Sequence, residues 1–138
     1  MRITRLLLTT LAVAMLSGCT IAQAEVSPAT PATVSVRIEG ASETLLPATP
    51  VTTTLVPVVN DGNPGHACAG TSALGGLQDA TGGHWSGHWS ESLHQYEVLS
   101  VLGETHLFEP LSRANYFWSF WLDDKRSEVG LCEATLHQ

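Results

Sequence analysis

The sequence predicts a small α+β domain, mostly short strands around one helix. Three observations carry that reading. Val34 to Glu39 (VSVRIE) alternates apolar and polar residues, the period of a half-buried strand. Thr71 to Thr81 (TSALGGLQDAT) is the stretch that carries helix start and stop signals. The chain has 138 residues, enough for one domain of ordinary size and not for two.

Composition narrows the function classes. The hydrophobic fraction is 43% and ordinary; the charged fraction is 14% and low. The formal charge is −7. Arg2 and Arg5 fall in a segment read below as a cleaved signal. Without them, the four basic residues Arg37, Arg113, Lys125 and Arg126 face 13 acidic ones, a net of −9. An acidic chain with no basic cluster does not suit nucleic acid or an anionic membrane surface. The sequence also excludes a multidomain enzyme and a polytopic membrane protein.

The N-terminus reads as an address. Met1 to Arg5 (MRITR) is cationic, and Leu6 to Leu16 (LLLTTLAVAML) is an apolar run too short to span ~30 Å of hydrocarbon. These are the n- and h-regions of a secretory signal peptide. Leu16-Ser17-Gly18-Cys19 resembles a bacterial lipobox, which makes residues 1–18 the signal and Cys19 the lipidated first residue. Ala22-Gln23-Ala24 before Glu25 is the alternative, a plain secretion site after residues 1–24. The lipobox needs four residue types in order beside the apolar run, so an anchored lipoprotein leads over free secretion. The expected location is extracytoplasmic, with membrane contact only through the lipid. Residues 19–32, rich in Ala, Thr and Pro, read as a tether, and the folded domain is expected over 33–138.

Cysteine parity agrees with both cleavage sites. Three cysteines leave an odd one in an oxidising compartment. Lipidating or discarding Cys19 leaves Cys68 and Cys132, whose bridge would close most of the domain. Two buried thiols, or thiolate metal ligands without a CxxC, are the alternatives.

The body follows in order. Gly40 ends the first strand. Thr44-Leu45-Leu46 starts a second extended piece, punctuated by Pro47 and Pro50. Val51 to Val59 (VTTTLVPVV) is dense in β-branched residues, with Pro57 marking an edge or a strand end. Asn60 to Gly65 (NDGNPG) is turn chemistry, leading to a loop around Cys68. In the helix, Thr71 or Ser72 is the cap, Leu74, Leu77 and Ala80 form the stripe, and Gly82-Gly83 is the stop. Gly75-Gly76 costs it about 2 kcal/mol against alanine. Tyr96 to Leu102 is a strand ending at Gly103-Glu104. Tyr116 to Leu122 (YFWSFWL) is apolar on both faces, which predicts a central strand covered on both sides. Asp123-Asp124-Lys125 is a solvated turn, and Leu131 to Leu136 is one more extended piece. The 9 aromatic residues all lie between Trp85 and Trp121, which places the core in the C-terminal half.

One segment draws attention as chemistry. Gly83-His84-Trp85-Ser86 recurs as Gly87-His88-Trp89-Ser90. On a strand, His84, Ser86, His88 and Ser90 share one face and Trp85, Gly87 and Trp89 the other. The simple reading turns the tryptophans inward and the histidines to solvent. Two sharper readings stand beside it. One is a metal site using His84 and His88, with His94 and His106 as neighbours, since imidazole suits zinc, nickel or copper. The other is a loop whose tryptophans stack on a flat molecule. Catalytic signatures are missing from the sequence. No Gly-x-Ser-x-Gly elbow, phosphate loop or dinucleotide fingerprint occurs, so no catalytic residue is assigned and the expected protein is not an enzyme.

The order of these pieces resembles a known family. Thr33 to Gly40 (TVSVRIEG), Cys68-Ala69-Gly70-Thr71, Gly76 to Gly83 (GLQDATGG), Trp85 to Trp89, Tyr96-Glu97-Val98 and Leu102-Gly103-Glu104 come in turn. Tyr116 to Asp123 (YFWSFWLD) and Gly130-Leu131-Cys132 complete the series. Together they are similar to the bacterial transcobalamin-C-terminal-like domains, largely a domain of unknown function in secreted and surface proteins. The likeness covers about residues 33–138. It implies a β-grasp-like fold with a cysteine bridge. In vertebrate cobalamin carriers the related domain covers one side of a corrinoid. The likeness thus offers a corrinoid as ligand, with no corrinoid-contacting residue to transfer and no other cofactor expected. Such domains usually continue through a Gly-Asp turn into a closing strand, so the resemblance implies that residues 33–138 lack the last strand of the sheet. The combined expectation is a lipid-anchored, non-catalytic binding or interaction domain for a small ligand or a surface protein. Trp85 and Trp89 are its expected contact surface, and an envelope metal-binding protein is the alternative.

Overall fold

A computed structural model describes residues 29–107 and 117–137. The signal segment, Cys19, most of the tether, residues 108–116 and Gln138 lie outside the described residues. The described strands and helix form an α+β arrangement, with all strand pairs antiparallel and in small sheets. β1 (Thr33–Glu39) pairs with β2 (Thr44–Thr52). After α1 (Ala73–Thr81) come β3 (Trp85–Ser90), β4 (Gln95–Val101) and β5 (Glu104–Thr105), which make one sheet in that order. β6 (Trp121–Leu122) and β7 (Lys125–Arg126) form a short hairpin.

β1 keeps the alternation expected of it: Val34, Val36 and Ile38 turn inward while Thr33, Ser35, Arg37 and Glu39 face solvent. Its partner differs from expectation. β2 runs through both prolines, and Val51 to Val59 is not one strand. A two-stranded sheet has only edge strands, where a missing N–H costs least. Pro47 and Ala48 sit together opposite Arg37 as a bulge, so Pro47 leaves no ladder position unfilled. Beyond Thr52 the chain peels off, and Val58 returns only as an isolated bridge to Cys68. The domain also starts one residue early. Ala32, placed in the tether by sequence, is buried and exchanges backbone and hydroxyl bonds with Thr53.

α1 forms where its punctuation predicts. Ser72 Oγ accepts from Gly75 N at 3.3 Å, and Gly82 takes a left-handed φ of 59° to close the last turn. The first amides of the helix need partners that the helix itself lacks. The C-terminal segment supplies them: Ala73 N donates to Ala134 O at 2.7 Å and Leu74 N to Leu131 O at 3.0 Å. The Cys68–Cys132 disulfide, with Cα atoms 5.1 Å apart, holds that segment in place. Leu131 to Leu136 is a turn followed by a bridge from Thr135 to Ser72, not a strand. The Gly75-Gly76 pair has a purpose that propensity hides. A Cβ on Gly75 would stand 1.8 Å from the Gly70 carbonyl oxygen, so the loop after Cys68 lies directly on the helix.

The core joins both halves of the chain. Ile38, Val58, Cys68, Leu74, Trp85, Tyr96 and Val101 are buried together. Thus the aromatic-rich half does not build the core alone. The expected central strand at Tyr116–Leu122 is the largest departure. Tyr116 is outside the described residues, only Trp121 and Leu122 pair, and Phe117 and Trp121 are 50% and 59% exposed. Asp123 and Asp124, with φ of 49° and 61°, make the left-handed two-residue turn that suits a hairpin. That turn sends the chain straight back, and among the described residues the aromatic run pairs with β7 alone.

Candidate functional site

The Gly-His-Trp-Ser repeat lies on β3 and in the residues leading into it. Trp85 is buried, and its indole N–H donates to Gln78 Oε1 of α1 at 2.7 Å. Trp89 is half-buried, edge-on to Tyr96 with ring centres 5.2 Å apart. The expectation that these two tryptophans form the contact surface is therefore corrected. Alternation on a half-buried strand sends both inward, and Gln78 supplies the polar partner that burial of Trp85 demands.

His84 and His88 face solvent on the other side. His88 Nε2 lies 3.0 Å from Glu97 Oε2, directly across the β3–β4 ladder. His94 stands in the β3–β4 turn with a left-handed φ of 50°. His106 faces Glu104 and meets Trp118 edge-on. No group of three or more His, Cys, Asp or Glu is placed to hold a metal ion among the described residues. Of the histidines that the sequence sets near one another, His88 and His106 thus meet separate carboxylates, Glu97 and Glu104.

The structure instead builds a cluster on His66, the residue that follows the Asn60–Gly65 turn and that no sequence motif marks. Asp61 Oδ2 accepts from His66 Nδ1 at 2.5 Å, and Asp61 Oδ1 accepts from the Tyr96 hydroxyl at 3.0 Å. Asn60 N donates to that same hydroxyl. His66 Nε2 lies 3.1 Å from Asn63 Nδ2 and 3.3 Å from Glu91 Oε1. The hydrogen bond from His66 lowers the Asp61 carboxyl to about 2, helped by the Asn63 amide. Burial raises the Tyr96 phenol. An Asp–His pair is also part of a hydrolytic triad, where the second ring nitrogen meets a serine or cysteine. Here that nitrogen meets an amide and a carboxylate. The cluster therefore fastens the 60–66 loop to the β3–β4 sheet.

A second fastening joins the β1–β2 turn to β5. Glu104 Oε1 accepts from Ala41 N at 2.7 Å and from His106. The Ala41 amide, then His106, lowers the Glu104 carboxyl. On β4, Leu99 is the extra residue of a bulge opposite Ser86 and Gly87. Its carbonyl accepts from His106 N at 2.9 Å and from the Trp118 indole at 3.2 Å. The bulge thus anchors Trp118 and leaves its neighbours Phe117 and Trp121 outside.

Those neighbours form the aromatic surface of the described residues. The Arg126 guanidinium lies 5.6 Å above the Phe117 ring, and Trp121 stands opposite Arg126 on the hairpin. Two exposed aromatics beside an arginine have the composition of a binding hot spot. The signal for them lay in the YFWSFWL run, which was assigned to the core. Leu55 to Pro57 and Val59 are a second exposed apolar group, in the segment read from sequence as strand, with Val58 between them buried.

No family model matches the chain, and no curated protein or solved structure proved similar to it.

Proposed function

We propose that this chain is a non-catalytic, extracytoplasmic binding domain, lipid-anchored at Cys19, whose contact surface is the hairpin carrying Phe117, Trp121 and Arg126. The exposure of Phe117 and Trp121 carries the reading, because large aromatic faces left in water mark contact surfaces. The disulfide supports an oxidising compartment, and so does the N-terminal pattern of charge followed by an apolar run. The partners of His66 support a structural role for the one Asp–His pair that resembles catalytic machinery. The fold is read as grasp-like, with α1 resting on β1 and β2 and the β3–β4–β5 sheet closing the other side of the core. With the resemblance to transcobalamin-like domains, this makes a flat, largely apolar molecule such as a corrinoid the proposed ligand.

Thermal melts with cyanocobalamin test the reading. A ligand at one hundred times its Kd adds about 2.7 kcal/mol to stability. A rise in Tm that is lost in the Phe117→Ala/Trp121→Ala double variant supports it. No rise, or a rise that the variant keeps, rejects the corrinoid at this surface.

A further inference from the structure

The two ring nitrogens of His66 stand in different settings. Nδ1 donates to Asp61 Oδ2 at 2.5 Å, so Nδ1 carries the hydrogen and Nε2 keeps its lone pair when the ring is neutral. Asn63 Oδ1 accepts from Gly65 N at 2.9 Å, which turns the Asn63 NH2 group towards His66. Asn63 Nδ2 stands 3.1 Å from Nε2 and donates to it. The neutral ring is thus bonded at both nitrogens inside its own turn.

Glu91, in the turn between β3 and β4, faces the same Nε2. Its Oε1 lies 3.3 Å away. A carboxylate oxygen only accepts, and so does the neutral Nε2, so the two share no hydrogen. A proton from solvent on Nε2 reverses both relations. Asn63 Nδ2 then meets a second donor, and Glu91 gains one. The ring keeps its place, because it lies on the Trp89 indole and Nδ1 stays tied to Asp61. The indole face also attracts a cation.

Asp61 of its own turn, Glu91 of the β3–β4 turn and, through Asp61, Tyr96 of β4 are the ionisable groups facing His66 among the described residues. Asp61 is held down at about 2, chiefly by the His66 hydrogen bond, and burial raises the Tyr96 phenol. Histidine ordinarily changes charge between about pH 5 and 8, where Asp61 stays ionised and Tyr96 stays neutral. We propose that His66 is a proton-operated clip between two turns: neutral, it takes a hydrogen bond from Asn63; protonated, it releases Asn63 and donates to Glu91. The clip is separate from the aromatic hairpin and stands or falls independently of that surface.

Nitrogen NMR of the isotopically labelled protein, run from about pH 9 to about pH 5, tests the proposal. His66 Nε2 is expected to pass from the lone-pair to the N–H range, with Nδ1 carrying hydrogen throughout. The Asn63 side-chain amide and Glu91 carboxyl signals move with the same midpoint. Two substitutions at exposed positions then act in opposite directions. Glu91→Gln takes the charged acceptor away and weakens the proton's affinity for His66 about threefold, as for an exposed ion pair. Asn63→Ser keeps a capping oxygen, removes the donor to the neutral ring and strengthens that affinity. The proposal is overturned if the Asn63 and Glu91 signals do not follow His66, or if the two variants move its titration the same way or not at all. It is equally overturned if Glu97→Gln, which removes an equal charge beside His88, weakens the affinity as much as Glu91→Gln.

Discussion

The imidazole of His66 lies flat on the indole of Trp89, with ring centres 4.6 Å apart and planes 7° from parallel. That stack joins a glycine-rich turn to the β3–β4 sheet. Asp61 completes the joint, accepting one hydrogen bond from His66 and one from the Tyr96 hydroxyl.

The joint predicts an acid-sensitive stability. Asp61 is lowered from its ordinary 3.8 to about 2, with the His66 hydrogen bond as the largest cause. Its folded-state value lies below the unfolded one, so the unfolded chain takes up the proton first as pH falls. The stabilisation is present above about 3.8 and is lost as pH drops towards 2. The Tm of the wild type therefore falls through that window, and the Asp61→Asn variant shows a flatter profile there. Melting curves at closely spaced pH values between these limits check it.

The two central glycines of α1 respond in opposite ways to alanine. In a free helix interior each exchange gains about 1 kcal/mol. At Gly75 the new Cβ meets backbone, and overpacking there costs about 3 kcal/mol. At Gly76 it meets only the end of the Leu136 side chain, which swings aside. Urea denaturation shows Gly75→Ala strongly destabilised and Gly76→Ala near or above the wild type.

Opening the disulfide costs about 4 kcal/mol by the chain-entropy estimate for its 64-residue loop. The Cys68→Ser/Cys132→Ser variant melts earlier. Its amide exchange speeds up most at Ala73 and Leu74, whose partners lie beside Cys132.

Core and surface tryptophans separate by stability alone. Trp85→Ala removes a buried indole and its bond to Gln78, a loss of about 3–5 kcal/mol. Trp121→Ala removes an exposed one and stays within about 0.5 kcal/mol of the wild type. Denaturant titration of the two variants reads this difference.

Local chemistry was legible in the sequence and long-range pairing was not. Ser72 and Gly82 bracket α1 as their residue types predict, and Val34, Val36 and Ile38 turn inward by simple alternation. Trp85 and Trp89 point inward for the same reason, against their assignment as a contact surface. β2 begins at Thr44 as its residues predict, but its unbroken run to Thr52 was not legible, because Pro47 and Pro50 argue against a strand unless its edge position and bulge are known. The YFWSFWL run was read as core because both its faces are apolar. Whether such a run is covered depends on a neighbouring sheet, and periodicity holds no information about that. The His66 cluster escaped for a similar reason: Asp61 and Tyr96 are 35 positions apart, and only the fold brings them together.

The most direct test of the proposed contact surface reads the 4 tryptophan indole N–H signals by NMR during a cyanocobalamin titration. Trp85, Trp89 and Trp118 are buried or half-buried, and Trp121 is exposed. The account predicts a saturable shift of the Trp121 signal with the Trp85 signal unmoved. A shift at Trp85 and Trp89 without Trp121, or no shift at any of the four, would contradict it.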